Sequence, residues 1–218
     1  VYYYSNVSSD ISIPSDGGEY IFGNCSNLII DNISGNSNVR SLFVFGFCDN
    51  ITVRNVTWTS RVGMLRLSKD SGLIYACKSN ITVENALIDG SDILIFASTN
   101  GNITIYNSTL LNESIESVHV DKSGVVRLVN TTFNESSISV SDGIIEPSGR
   151  LYVDHYFNLV TSPAVEGLWV NITNVANVST NSYGSIPQQI TRDYMYVGST
   201  KTDYQYYVDV QRPATWTN

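Results

Sequence analysis

Four octapeptides that open on Asn and then alternate apolar with polar residues constrain this chain most. They are NLIIDNIS from Asn27, NITVRNVT from Asn50, NITVENAL from Asn80 and NITIYNST from Asn102. Two degenerate copies follow, VVRLVNTT from Val125 and RLYVDHYF from Arg150. Aligned, they form an Asn column of Asn32, Asn55, Asn85, Asn107 and Asn130, ending in His155, with steps of 23, 30, 22, 23 and 25 residues. Within the copies Leu28 and Ile30, Ile51 and Val53, Ile81 and Val83, Ile103 and Ile105, and Val126 and Leu128 share one face. A period of two rich in β-branched residues predicts strands with one buried face. Each repeat carries a second short apolar run, among them SLFVFGF, GMLRLS and DILIFAS. Two strands per repeat of about 23 residues, with no helical stretch between them, predict a solenoid whose coils stack by parallel pairing. A leucine-rich repeat has a similar period, but its leucine frame and helix are missing.

The step of 30 predicts an inserted loop over SKDSGLIYACKS, residues 68–79. After Arg150 the repeat fades into strand-like runs separated by turn-like NSYG, SIP and GSTKTD, which predict a small antiparallel sandwich. The fold class expected is all-β, a parallel β-helix (solenoid) followed by a small antiparallel β-sandwich. An N-terminal strand or cap is expected over 1–22, the β-helix over 23–149 and the sandwich over 150–218.

Composition narrows the setting. Charged residues make up 15% of the chain, against an average of about 25%, and Ser, Thr, Asn and Tyr fill the gap. A polar, weakly charged surface suits an extracellular protein. The net charge of −8 and pI near 4.6 argue against nucleic acid and against an anionic membrane face. No apolar run approaches 18 residues, so no membrane insertion is expected. The chain opens at Val1 without Met and reads as a processed or trimmed form. Cys25, Cys48 and Cys77 lack CxxC spacing, and only two His are present, so no metal site and no cofactor is expected.

The series NCSNLIIDN, CDNITVRNVT, SNITVENALIDG and NGNITIYNST resembles the right-handed parallel β-helix of the carbohydrate-binding and sugar-hydrolase type. Versions dense in NxT patterns resemble archaeal cell-surface and S-layer-like proteins. The stretch VEGLWVNITN to ITRDYMYVG resembles the immunoglobulin-like or carboxypeptidase-regulatory-like domain that follows such helices. The resemblance implies the fold and says little about activity, because β-helices carry several unrelated functions.

Thirteen of the 22 Asn residues lie in Asn-X-Ser/Thr acceptor patterns, where random order would give about five. Two causes compete. A turn ending each strand wants a residue that tolerates the left-handed region, and stacked amides can hydrogen-bond from coil to coil. Asn85 stands in the column although NAL cannot be an acceptor. The column Asn32, Asn55, Asn85, Asn107 and Asn130 is therefore read as an inward structural ladder, out of reach of a glycosyl transferase. Asn50, Asn80 and Asn102 precede their strands and are expected outside. Glycans are expected at Asn6, Asn50, Asn80, Asn102, Asn112, Asn134, Asn171 and Asn177, with Asn112 and Asn134 in loops.

Catalytic chemistry is sparse. The position before the ladder reads Asp31, Arg54, Glu84, Tyr106, Val129 and Asp154. Arg54 between two carboxylates reads as a charged surface stripe, with a catalytic trio as the alternative. Asp89, Asp92, Asp121 and Asp142 sit in turn contexts, and His119 reads as an exposed strand residue. Cys25, Cys48 and Cys77 approach one column on successive coils. A disulfide between Cys25 and Cys48 and a stack of buried thiols both fit that spacing. Tyr-rich ends at VYYY, DYMY and YQYY suit an interface.

These features lead to the expectation of a structural extracellular or cell-surface glycoprotein, not an enzyme. It would self-assemble with copies of itself, head to tail, into a filament or S-layer-like array. A glycan-binding adhesin or virus-surface protein is the alternative. A polysaccharide lyase or hydrolase is a third reading.

Overall fold

A computed structural model of the chain describes residues 1–9, 13, 18–36, 42–59, 72–142 and 147–212. It is all-β, a parallel β-solenoid of about five turns plus a small antiparallel three-stranded sheet. One solenoid sheet stacks Ser26–Asp31, Asp49–Arg54, Asn80–Glu84, Asn102–Tyr106, Val125–Val129 and Arg150–Phe157 in parallel. Its register places Leu28, Ile51, Ile81, Ile103, Val126 and Leu151 in one row. Ile30, Val53, Val83, Ile105, Leu128 and Val153 form the next. Every member of both rows is at most 2% exposed. Each buried aliphatic contributes roughly 1.5–3 kcal/mol, so these rows are one large part of what holds the coils together.

A second stack runs Tyr2–Ser5, Tyr20–Gly23, Phe43–Gly46 and Ile74–Cys77 and continues into later halves of Leu87–Ser98 and Thr109–Val120. A third, shorter stack is Ser34–Asn36, Thr57–Thr59 and the first residues of those same two long strands. The coil thus has three sides where the alternation predicted two. The third was hidden because its strands are only three residues long at Ser34–Asn36 and Thr57–Thr59, too short for a visible period.

The expected single N-terminal strand is two strands. Tyr2–Ser5 pairs in parallel with Tyr20–Gly23 and is itself a rung. Tyr2, Tyr20 and Phe43 stack with ring centroids 5.3 and 5.6 Å apart, and Tyr4, Phe22 and Phe45 at 5.0 and 5.1 Å. Parallel strands put like rings one above the other at near-strand spacing, so aromatic rows extend from rung to rung. The expected loop over 68–79 is also corrected, because Ile74–Cys77 is a core strand with Leu73, Ile74 and Ala76 fully buried. The run GMLRLS and residues 68–71 lie outside the described residues.

Arg150–Phe157, where the C-terminal unit was expected to begin, is the last parallel rung. Gln189–Val197 pairs antiparallel onto it, followed by Thr200–Asp203. Solenoid and C-terminal region therefore share a sheet. Beyond it, Trp169–Ile172 sits between Ala176–Ser179 and Val208–Gln211. Val170, Ile172 and Ile186 form a small separate core there. No helix among the described residues is long and apolar enough to cross a membrane.

Candidate functional site

The corners of the coil decide where polar groups go. Asn32, Asn55, Asn85, Asn107 and Asn130 all have φ between 48° and 58°. A single left-handed residue breaks the strand alternation. The Asn side chain stays outside, and the residue after it turns in. Ile33, Val56, Ala86, Ser108 and Thr131 are accordingly buried. Asn tolerates this region better than other L residues. The expectation of an inward ladder is therefore corrected, for all five asparagines are exposed. The ladder runs along the surface. Asn85 donates Nδ2 to Asn55 Oδ1 at 3.4 Å, Asn130 to Asn107 at 2.9 Å, and Asn55 to the Asp31 carboxylate at 2.8 Å. In the buried row just behind it, Ser108 Oγ accepts the Ala86 N–H at 3.0 Å.

A second corner, unread in the sequence, precedes the ladder strands. Asn24, Phe47, Lys78, Asn100 and Ser123 occupy it with positive φ. Cys25, Cys48, Ser79, Gly101 and Gly124 follow on the inside. The signal was present, since Asn24 and Phe47 stand directly before the two cysteines, but the residue types vary too much to form a visible column. In the later coils Thr99 and Lys122 also take positive φ, which tightens the corner. A Cβ on Gly101 would lie 2.2 Å from the Ala76 carbonyl oxygen, and one on Gly124 2.4 Å from that of Ala97. Only glycine fits there.

The cysteines divide between two rows. Cys25 and Cys48 are buried free thiols on neighbouring coils, with the Cys25 N–H 3.5 Å from Cys48 Sγ. Each thiol points at a carbonyl, Cys25 at Gly23 and Cys48 at Gly46, both at 3.4 Å. Burial pushes the Cys48 thiol pKa up. Cys77 was expected in the same row. Instead it ends a strand in register with Gly46 and Ser98, and Ser79 takes the inner corner.

Of the expected glycan acceptors, Asn6, Asn50, Asn80, Asn112, Asn134, Asn171 and Asn177 are exposed and Asn102 is half-buried. Asn50 donates to Asn27 at 2.7 Å. Asn112 was expected in a loop. It lies within Thr109–Val120 at φ 53°, where it makes the bend and donates to Asp89 at 2.6 Å. Asn134 caps the short 3-10 turn Glu135–Ser137 and donates to Glu113 at 2.6 Å. Asn171 and Asn177 are direct cross-strand partners on the outer face of the three-stranded sheet.

The charged stripe is resolved by contact. Arg54 Nε and Nη2 both bond Asp31 Oδ2 at 2.9 Å, so the guanidinium faces Asp31 and not Glu84. The Asn55 amide, then Arg54, hold the Asp31 carboxyl below its usual range. Asp142 is lowered by the Ser199 backbone N–H and hydroxyl, which tie the C-terminal hairpin turn to the solenoid. Burial raises the Glu113 carboxyl, but hydrogen bonds from Ser137 and Asn134 bring it down overall. His119 is half-buried rather than exposed. It bonds Glu116 and packs edge-on against Phe96, with centroids 4.5 Å apart. Among the described residues, no group of three or more His, Cys, Asp or Glu could hold a metal.

The most organised polar cluster lies where the solenoid meets the C-terminal sheet. Asp154 points outward from its strand yet is 1% exposed, because the C-terminal segments fold over it. A register break beside Asp154 places Arg192 opposite it. Asp154 accepts from Arg127 Nε at 2.5 Å and from Arg192 Nε at 2.9 Å. The Arg192 guanidinium lies 4.2 Å over the Tyr152 ring and 5.8 Å from that of Tyr204, and the Arg192 backbone N–H donates to Tyr206 Oη at 2.9 Å. A cavity of about 370 Å³ opens here, walled by Arg127, Asp154, Arg192, Tyr204, Tyr206 and Asn174 among others. The column reading placed Asp154 but could not supply its partners. Arg192 arrives on an antiparallel strand from outside the repeat, and its pairing depends on the register break.

Comparison with protein-family models, with curated proteins and with solved structures yields no match.

Proposed function

We propose that the chain is a structural, extracellular glycoprotein subunit, of the archaeal cell-surface or S-layer-like kind, that assembles head to tail with further copies into a filament or array. The observation that carries this reading is the terminal rung of the second stack. Among the described residues, Tyr2–Ser5 is the last strand of its sheet and pairs in parallel with Tyr20–Gly23. The terminal strand of a sheet favours pairing with another chain along its outer edge. Val1 and Tyr3, beside and within that strand, are 68% and 75% exposed. At the other extreme the edge strand Val208–Gln211 is exposed throughout, with Val208 and Val210 only partly covered. Two unlike edges make a heterologous contact, which gives open filaments unless the rotation closes. The exposed asparagines support a glycan coat, and the reading assigns no catalytic residue, nucleic acid or membrane partner. Sedimentation and electron microscopy of the secreted chain test it. Concentration-dependent linear assemblies are expected, and a strict monomer at high concentration overturns it.

A further inference from the structure

The geometry points to a binding site for a ring-bearing carboxylate, such as an acidic monosaccharide unit, in the cavity around Arg127 and Arg192. The site is independent of self-assembly. Its lining contains two arginines and one carboxylate, so it carries a local charge of +1 on a chain whose net charge is −8. Asp154 engages the Nε of each guanidinium. Among the described residues neither arginine has a second carboxylate partner. A part-buried positive charge without full compensation is costly, and an incoming oxyanion removes that cost. Guanidinium groups bind carboxylates through paired N–H donors, and Asp154 holds both in place before the ligand arrives.

The remaining wall selects for a ring. Tyr204 and Tyr206 flank the arginines, and the faces of phenol rings pack on the apolar faces of sugars. Asn174 and Gln205 add amide groups that can serve hydroxyls. The volume of about 370 Å³ lies at the lower end of the range of about 300–1,000 Å³ usual for small-ligand pockets. The arrangement supplies recognition without chemistry, since its carboxylate is already held by two arginines.

Calorimetric titration of the intact chain with glucuronate, glucose, acetate and inorganic phosphate tests the proposal. Saturable glucuronate binding is expected, about tenfold or more tighter than glucose and than acetate, and weakened by salt. Arg127→Gln should reduce glucuronate affinity about tenfold, with folding verified by thermal melting. Tyr204→Ala, on a partly exposed side chain, provides a second variant. It should lower glucuronate affinity and leave acetate binding unchanged. The proposal is overturned if the folded chain does not bind glucuronate or if glucose binds equally well. Equal affinity for phosphate or acetate would refute ring selection.

Discussion

Substituting Gly101 by Ala tests the close-packed corner directly. A Cβ there would meet the Ala76 carbonyl oxygen at 2.2 Å and its carbon at 2.8 Å. Ordinary contact between such atoms requires about 1 Å more separation. The obstacle is backbone of the preceding coil, and it cannot rotate away as a side chain could. Relief would require moving either the Ala76 peptide or the strand Asn102–Tyr106, whose Ile103 and Ile105 are fully buried. Overpacking of this kind costs about 1–3 kcal/mol, and disturbance of the adjoining rungs puts the expected loss near the upper value. For a chain of this size, about 3 kcal/mol corresponds to a fall in Tm of roughly 6–12 °C. Gly23→Ala is the matched control, because its Cβ would meet nothing within 4 Å. It should be neutral or raise stability by about 0.4–1 kcal/mol. Thermal and urea unfolding followed by circular dichroism measures both variants. Equal midpoints for the two would refute the close-approach argument.

Other outcomes follow from named contacts. Asp154→Ala leaves Arg127 and Arg192 facing each other without their shared carboxylate. It should cost about 3–5 kcal/mol in urea unfolding, more than Asp31→Ala, whose partner Arg54 has a side chain 43% exposed. Asp31, Glu113 and Asp142 all have lowered carboxyl pKa values in the fold. Their contribution is complete above the ordinary carboxyl range and is lost as pH falls through it, so an acid titration followed by circular dichroism should show stability declining below about pH 4. Cys25 and Cys48 should resist a thiol reagent in the native chain and react after unfolding, while the half-buried Cys77 reacts first. Glycopeptide mass spectrometry should find Asn171 and Asn177 seldom occupied on the same molecule. Cross-strand partners stand about 5 Å apart, too close for two freely oriented glycans.

The ladder strands were legible because each puts two aliphatic side chains inside and repeats that choice six times. The alignment of Leu28 with Ile51, Ile81 and Ile103 is the same as the observed register. The orientation of the Asn column was not legible. A strand's alternation cannot be extended through a left-handed residue, and extending it turned Asn55 inward when Val56 takes that place. The row at Asn24, Phe47, Lys78, Asn100 and Ser123 has no signature in residue type, because the backbone conformation, not the side chain, is what repeats. The Arg127–Asp154–Arg192 cluster joins a parallel repeat to an antiparallel return, and only the folded register sets that distance.

The one-residue corners have a consequence for how such a chain changes length. The Asn corners that close each ladder strand share one geometry, so a duplicated coil can splice between two existing ones at those corners. Each addition lengthens the rod by one strand spacing, about 4.8 Å, and leaves the N-terminal edge and the C-terminal sheet unaltered. Reach is thereby uncoupled from the chemistry of the ends. The number of repeats acts as a ruler that gene duplication can reset in unit steps.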